Sequence, residues 1–229
     1  LYCFIRAAQI FALPFLSIRS DEMDSYRTIS RAAEIQFVEK RSRFIGAARP
    51  VSSESEALEF IAERRKRHWD AAHNVYAYVL RQGQVQRYSD DGEPQGTAGI
   101  PVLDMLLKKN LTDCAVVVTR YFGGILLGTG GLVRAYTQSA KLAVEAAGPV
   151  NMMMCARAVT SCEYSRYGQV SSLIPAYGGV VRDTVYTDSV EIEFVVPLNA
   201  VELLINDLSE LSSGSITVKI IGEEFAPFE

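Results

Sequence analysis

Polar and apolar residues alternate through much of the first half of the chain, and apolar residues recur at helical spacing in the blocks between. Side chains on a strand repeat every second residue and those on a helix every three or four, so the pattern can be read as elements. Strands are expected at residues 26–30, 34–40 and 43–51, where AEIQFVEK and RFIGAARPV alternate, and again at 74–81, 84–88 and 114–120. Residues 54–68 read as a helix with acids at its start and a basic run at its end, which suits the helix dipole. Further helices are expected at about 100–109 and at 132–147.

The second half has a clearer order. Residues 153–163 read as a strand, 164–176 as a helix, 179–187 and 189–197 as two strands, 199–211 as a helix behind Asn199 as N-cap, and 215–222 as a closing strand. The sequence βαββαβ predicts a ferredoxin-like antiparallel sheet with two helices on one face. Gly148 and Pro149 punctuate the preceding helix, so two α+β domains are expected, 24–149 and 152–229. Residues 1–22 are apolar but lack the basic start and small-residue cleavage site of a secretory signal; they read as an extension outside the fold.

Charge divides with the domains. Residues 24–150 carry 17 basic and 14 acidic side chains, whereas residues 151–229 carry 4 and 11, which suggests different partners for the two halves. No segment is long and apolar enough to span a bilayer. Cys3, Cys114, Cys155 and Cys162 are too scattered for a zinc site and too few for a disulfide scaffold, so they read as reduced thiols in a cytoplasmic protein. Cys155 and Cys162, seven apart on one strand, should face opposite sides.

Two loops concentrate the residues capable of chemistry. Residues 87–99, RYSDDGEPQGTAG, place Asp90, Asp91 and Glu93 among glycines and a proline, between Arg87 and Thr97. Such residues also make ordinary turns, and Thr97 could cap the next helix. Thirteen residues exceed what the connection needs, however, which leaves a divalent-metal site on Asp90, Asp91 and Glu93, or an acid pair for proton transfer, as alternatives. Residues 120–134 run from Arg120 at a strand end through Gly123, Gly124, Thr129, Gly130 and Gly131 to Arg134, expected in the first turn of a helix starting near Leu132. Glycines ahead of a helix N-terminus allow an anion to approach free amides, and Arg120 and Arg134 could clamp it. Tight packing is the competing explanation for the glycines. The loop is no Walker motif, since Thr129 stands where the lysine belongs, and it breaks the GxGxxG pattern at Val133. No cofactor is implied.

The two histidines, His68 and His73, are five apart and lack the spacing of a helical zinc pair; His73, beside a strand leading toward the acidic loop, is the better binding candidate. The run Arg64-Arg65-Lys66-Arg67 reads as a solvated helix end, and Tyr76 and Tyr78 as core.

FIGAARPV (44–51), RHWDAAHNVYAY (67–78), RYSDDGEPQGTAGIPVL (87–103) and VVVTRYFGGILLGTGGLVRAY (116–136) closely resemble the Impact family, whose bacterial members form the YigZ family. The resemblance covers roughly residues 24–150, and the βαββαβ half is similar to the small C-terminal domain of bacterial members. It implies a ribosomal S5 domain 2-like fold followed by a domain resembling those of elongation factor G. It also implies regulation of translation, in eukaryotes through an amino-acid-starvation stress response; that branch has an RWD domain which this sequence lacks. The family supplies no catalytic residues. The expected partners are therefore RNA, the ribosome or a translation factor, with a phosphate-bearing ligand at the glycine loop. The alternative is a metal- or phosphate-dependent enzyme acting on a phosphorylated small molecule.

Overall fold

The computed structural model describes residues 25–228; the expected extension at 1–22, and Cys3 with it, lie outside the described residues. The first unit runs β1 (Ser25–Ile29), β2 (Ala33–Glu39), β3 (Ser42–Pro50), α1 (Glu54–Arg67), β4 (His73–Leu80), β5 (Val85–Ser89), α2 (Gly99–Lys108), β6 (Cys114–Tyr121) and α3 (Thr129–Ala147). Strands β2 to β6 form an antiparallel sheet in the order β2-β3-β6-β4-β5. The central strand β6 is apolar on both sides. Val116 and Val118 join the core beneath α2 and α3, with Phe44, Val102, Leu106 and Tyr136, while Ala115 and Val117 join a second core beneath α1, with Phe60 and Ile61. The helix α1 forms as its charges predict: the Ser53 side chain accepts from the Glu56 amide, and Arg64 to Arg67 fill the last turn.

The second unit comprises β7 (Pro149–Cys162), α4 (Tyr164–Ala176), β8 (Val180–Tyr186), β9 (Val190–Pro197), α5 (Val201–Ser212) and β10 (Val218–Phe228). Its strands lie antiparallel in the order β10-β7-β9-β8, with Val170 and Ile174 of α4 and Leu204 and Leu208 of α5 sharing a core with Ala158, Ile192 and Phe194 of the sheet. The βαββαβ pattern is thus present as expected. Cys162 packs under the helices and Cys155 into a small cluster apart from them, as opposite faces of β7 require. Cys114, Cys155 and Cys162 are free and buried. Asn199 does not cap α5: a 3-10 turn over Leu198–Ala200 precedes the helix, and its N-cap, Ala200, makes no side-chain bond. No helix of the described residues is long and apolar enough to cross a membrane.

The boundary between the units is less simple than Gly148-Pro149 suggested. There is no linker, because β7 starts at Pro149 immediately after the left-handed C-cap Gly148. The first strand of the chain, expected in the first domain, pairs instead with β7, from Ser25 opposite Met153 to Ile29 opposite Pro149. On the other edge of the same segment, β10 extends past its expected end and pairs through Phe228 opposite Asn151. The start of β7 is therefore satisfied on both edges, which is why β7 begins before, and β10 ends after, the expected bounds. β1 also belongs to the first unit: Ile29 is in its core, the Thr112 amide donates to the Arg27 carbonyl, and the Ser30 amide donates to the Gly148 carbonyl.

Arg81, at the end of β4, closes this junction. Its guanidinium lies 4.0 Å from the Tyr26 ring centroid and 4.2 Å from that of Phe225, with Nε 3.4 Å from Asp113 Oδ2. Replacing Arg81 with alanine should lower stability by about 1 kcal/mol, a half-exposed cation–π contact on two rings. Urea unfolding measures it, and an unchanged midpoint would show that the β1–β7–β10 ladder alone holds the units.

Candidate functional site

Strand register gathers the two loops at one end of the first sheet. Glu39 pairs with Ser42, Arg43 with Tyr121 and His73 with Arg120, so the β2–β3 turn, the end of β6 and the start of β4 coincide. β5 runs back along β4, with Ser89 opposite Tyr76, and this brings residues 90–98 over His73. All of the loop candidates except Arg87 meet here. Arg87 lies out on the edge strand, its guanidinium on the Gln86 carbonyl.

A buried ion pair sits beneath the loops. Glu93 Oε1 accepts from Arg120 Nη1 at 2.6 Å and from the Tyr136 hydroxyl at 2.7 Å, and all three residues are buried. Burial, with Glu93 alongside, pushes the Tyr136 hydroxyl far above the ordinary tyrosine range, so it stays protonated and donates. His73 Nδ1 is 2.8 Å from the Asp91 carbonyl oxygen, which can only accept, so Nδ1 donates; Nε2 lies 3.7 Å from Glu93 Oε1.

The other two carboxylates are equally committed. Asp90 Oδ1 accepts from the amides of Ala98 and Gly99 and Oδ2 from that of Gly96, so Asp90 caps α2 from a distance. Thr97, the expected cap, instead donates to the Pro94 carbonyl. Asp91 Oδ2 accepts from the Asn74 amide and Oδ1 from Arg65. The metal expectation fails on geometry: the three acids turn to different partners, and no group of three or more acidic, His or Cys side chains fit to hold an ion occurs among the described residues.

Two expectations about the glycine loop also need correction. Arg120 cannot clamp an outside anion, because it is only 5% exposed and held by Glu93. Arg134 is not in the first turn of its helix, since α3 begins three residues early, at Thr129 behind Gly128. The earlier start changes which amides are presented. Those of Thr129, Gly130 and Gly131 find no acceptor among the described residues, whereas Leu132 donates to the Gly128 carbonyl. Thr129 and Gly130 are exposed, Gly131 half-buried and Arg134 exposed one turn on.

The opposite wall was not singled out in the sequence. The two-residue turn Lys40-Arg41 has positive φ at both positions, 44° and 66°. This is the type I′ arrangement, usually built from Asn and Gly, so its lysine and arginine hold a conformation that costs energy. The turn is tied to the loop at Gly123, where a Cβ would fall 2.1 Å from the Arg41 carbonyl carbon and oxygen; only glycine permits that approach. Gly124, by contrast, is exposed with open space around it. A groove of about 520 Å³ lies between, lined by Lys40, Glu39, Gly131, Arg134, Thr137 and Gln138 among others. Neither Lys40, Arg41 nor Arg134 is ion-paired with a carboxylate among the described residues.

On the other face of the sheet, polar contacts join α1 to the same end. Arg64 Nη2 donates to His68 Nε2 at 2.9 Å; His68 Nδ1 then faces the Tyr121 hydroxyl at 3.0 Å, and Tyr121 donates to Asp70. Burial and the adjacent Arg64 guanidinium hold the His68 pKa below its usual 6.5.

The family model for the Impact N-terminal domain matches residues 40–144, and one described as a domain of unknown function, DUF1949, matches residues 160–215. The chain is 38% identical to IMPACT family member YvyE of Bacillus subtilis over 198 residues, covering 86% of this chain and 91% of that one. It belongs to the IMPACT family. IMPACT family member YigZ of Escherichia coli is 33% identical over 197 residues, covering 84% of this chain and 97% of the relative. Protein IMPACT of Bos taurus is 34% identical over 100 residues, 41% of this chain and 31% of that protein. A solved structure described as that of an hypothetical protein matches with a TM-score of 0.55 at 30% identity, covering 87% of this chain and 98% of its own. The Impact match contains every residue from Lys40 to Arg134 that forms this end of the sheet. Within this IMPACT domain the sequence reading missed Lys40, Arg41 and Tyr136. The first two lack the Asn-Gly signal of their turn, while helical spacing from Leu132 does point Tyr136 inward.

Arg120→Ala leaves Glu93 buried without its cation and should cost about 3–5 kcal/mol, whereas Arg120→Met with Glu93→Leu should cost less because no charge is stranded. Denaturant melts of the two variants check this. A His whose folded pKa is depressed stabilises above its unfolded value and loses that contribution as pH falls. Stability should therefore drop as pH is lowered below about 6.5 toward the depressed folded value, and His68→Gln should flatten that part of the profile in urea unfolding.

Proposed function

We propose that this protein acts in the cytoplasm as a regulator of translation, binding RNA or the ribosome through the groove between α3 and the β2–β3 turn. The observation that carries the proposal is the uncapped start of α3: the amides of Thr129, Gly130 and Gly131 are uncommitted, and Gly131 lines a groove open to solvent together with Lys40 and Arg134. Amides at a helix start carry partial positive charge and accept phosphate oxygens, and flanking cations add to the attraction. Membership of the IMPACT family supports the link to translation, because the resemblance implies that role for the eukaryotic branch. The enzyme alternative has less support, since Asp90, Asp91 and Glu93 are all occupied by protein donors.

Sedimentation with ribosomes and their subunits, at low and moderate salt, tests the proposal. Binding should weaken steeply with salt, because each neutralised phosphate releases counterions. A Lys40→Ala/Arg134→Ala variant should bind less tightly at low salt and show a shallower dependence, by about 0.7–0.9 in log–log slope per lost contact. Salt-independent binding, or binding untouched by the double variant, would sink the phosphate groove.

A further inference from the structure

Trp69 is the only tryptophan in the sequence and is 83% exposed. The residues on either side of it are anchored, because His68 and Asp70 both hydrogen-bond the Tyr121 hydroxyl. The Tyr121 ring carries the Arg43 guanidinium 4.2 Å from its centroid. Phe122 follows, half exposed, and Gly123 then abuts Arg41. Aromatic rings and cations thus succeed one another from Trp69 around the end of the sheet to the Lys40-Arg41 turn and the groove. Lys66 and Arg67 extend the positive charge on the Trp69 side, where Arg67 also meets Glu34.

We propose that this band is a base-stacking platform, and that the RNA held at the groove is single-stranded. The inference rests on the RNA-binding proposal and specifies the form of its ligand. A duplex hides the faces of its bases within the stack and offers a protein mainly phosphates, sugars and groove edges. Unpaired bases expose planar faces that stack on Trp, Tyr, Phe and Arg while the backbone follows the cations. An acidic peptide would match the charge but brings no planar faces for the rings. An anionic membrane would match the exposed Leu126 as well as the cations, and is distinguished by the test.

Trp69 is itself the probe. The full chain is titrated with a single-stranded oligoribonucleotide of about 12 nucleotides, within the usual span of such sites. The same sequence as a duplex and vesicles of phosphatidylcholine with phosphatidylserine are titrated beside it. The single strand should quench Trp69 fluorescence and bind about tenfold more tightly than the duplex. Trp69→Ala should weaken single-strand binding about tenfold, a typical loss for one stacked base, and leave duplex binding unchanged. Trp69→Phe should restore part of the loss, which a role in folding alone would not explain. RNA binding that depends on Lys40 and Arg134 but neither quenches Trp69 nor prefers the single strand would overturn the platform and leave the groove standing. Binding to vesicles with blue-shifted emission and none to RNA would overturn both, as would no binding to any of the three.

Discussion

The buried pair of Glu93 and Arg120 is the constraint on which the working end of the molecule depends. Arg120 comes from the last residues of β6, Glu93 from the loop after β5, and Tyr136 from the second turn of α3. One carboxylate oxygen therefore joins a loop, a strand end and a helix that the chain supplies far apart. An ion pair in a protein interior gives little net stability over an apolar substitute, but removing one partner is severely unfavourable. Such a pair specifies geometry more than it stabilises it. Here it fixes residues 90–98 over the end of the sheet and holds the start of α3 beside the β2–β3 turn.

This arrangement divides the charged residues of the end into two sets. Asp90, Asp91, Glu93 and Arg120 are the residues that a sequence motif makes conspicuous, and each is spent inside the protein, capping α2, fastening β4 or neutralising its partner. Lys40 and Arg41 form no comparable pattern in the sequence, yet with Arg134, to which the glycine loop did point, they face solvent around unpaired amides. The internally bonded set shapes the surface and the exposed set gives it a sign. The positive φ of Lys40 and Arg41 belongs to the same design: a turn that could have been made from Asn and Gly is made from two cations, held in place by the backbone contact with Gly123.

What the sequence made legible follows from the range of each signal. The apolar run of β6 and the βαββαβ order of the second half are local signals, and both are present in the structure. The register of β1 is not local. Nothing in SYRTI says that it pairs with Met153 to Pro149, more than a hundred residues away, since pairing partners are chosen by tertiary packing. The start of α3 was misread for a different reason. Gly130 and Gly131 are poor helix formers, yet they occupy the first turn, where an open backbone lets a ligand approach. Arg120 was misassigned because a strand-end arginine beside glycines has the same sequence appearance whether it turns outward to a ligand or inward to Glu93.

The acidic second unit need not oppose a polyanion at this site, and the reason is distance. The second unit joins the first at the start of β6 and the end of β4, where Asp113 and Arg81 meet Tyr26 and Phe225. The groove lies at the other end of the same strands, beyond Tyr121 and before His73. β6 spans Cys114–Tyr121, which at about 3.4 Å per residue separates the two ends by roughly 24 Å. The screening length at physiological ionic strength is about 8 Å, so the field of the carboxylates falls off well before it reaches Lys40 and Arg134. What the acidic unit would impose on the proposed ligand is direction: a phosphate chain held at the groove would be free to run across the sheet end toward Trp69, and would be repelled from continuing down the strands toward β7.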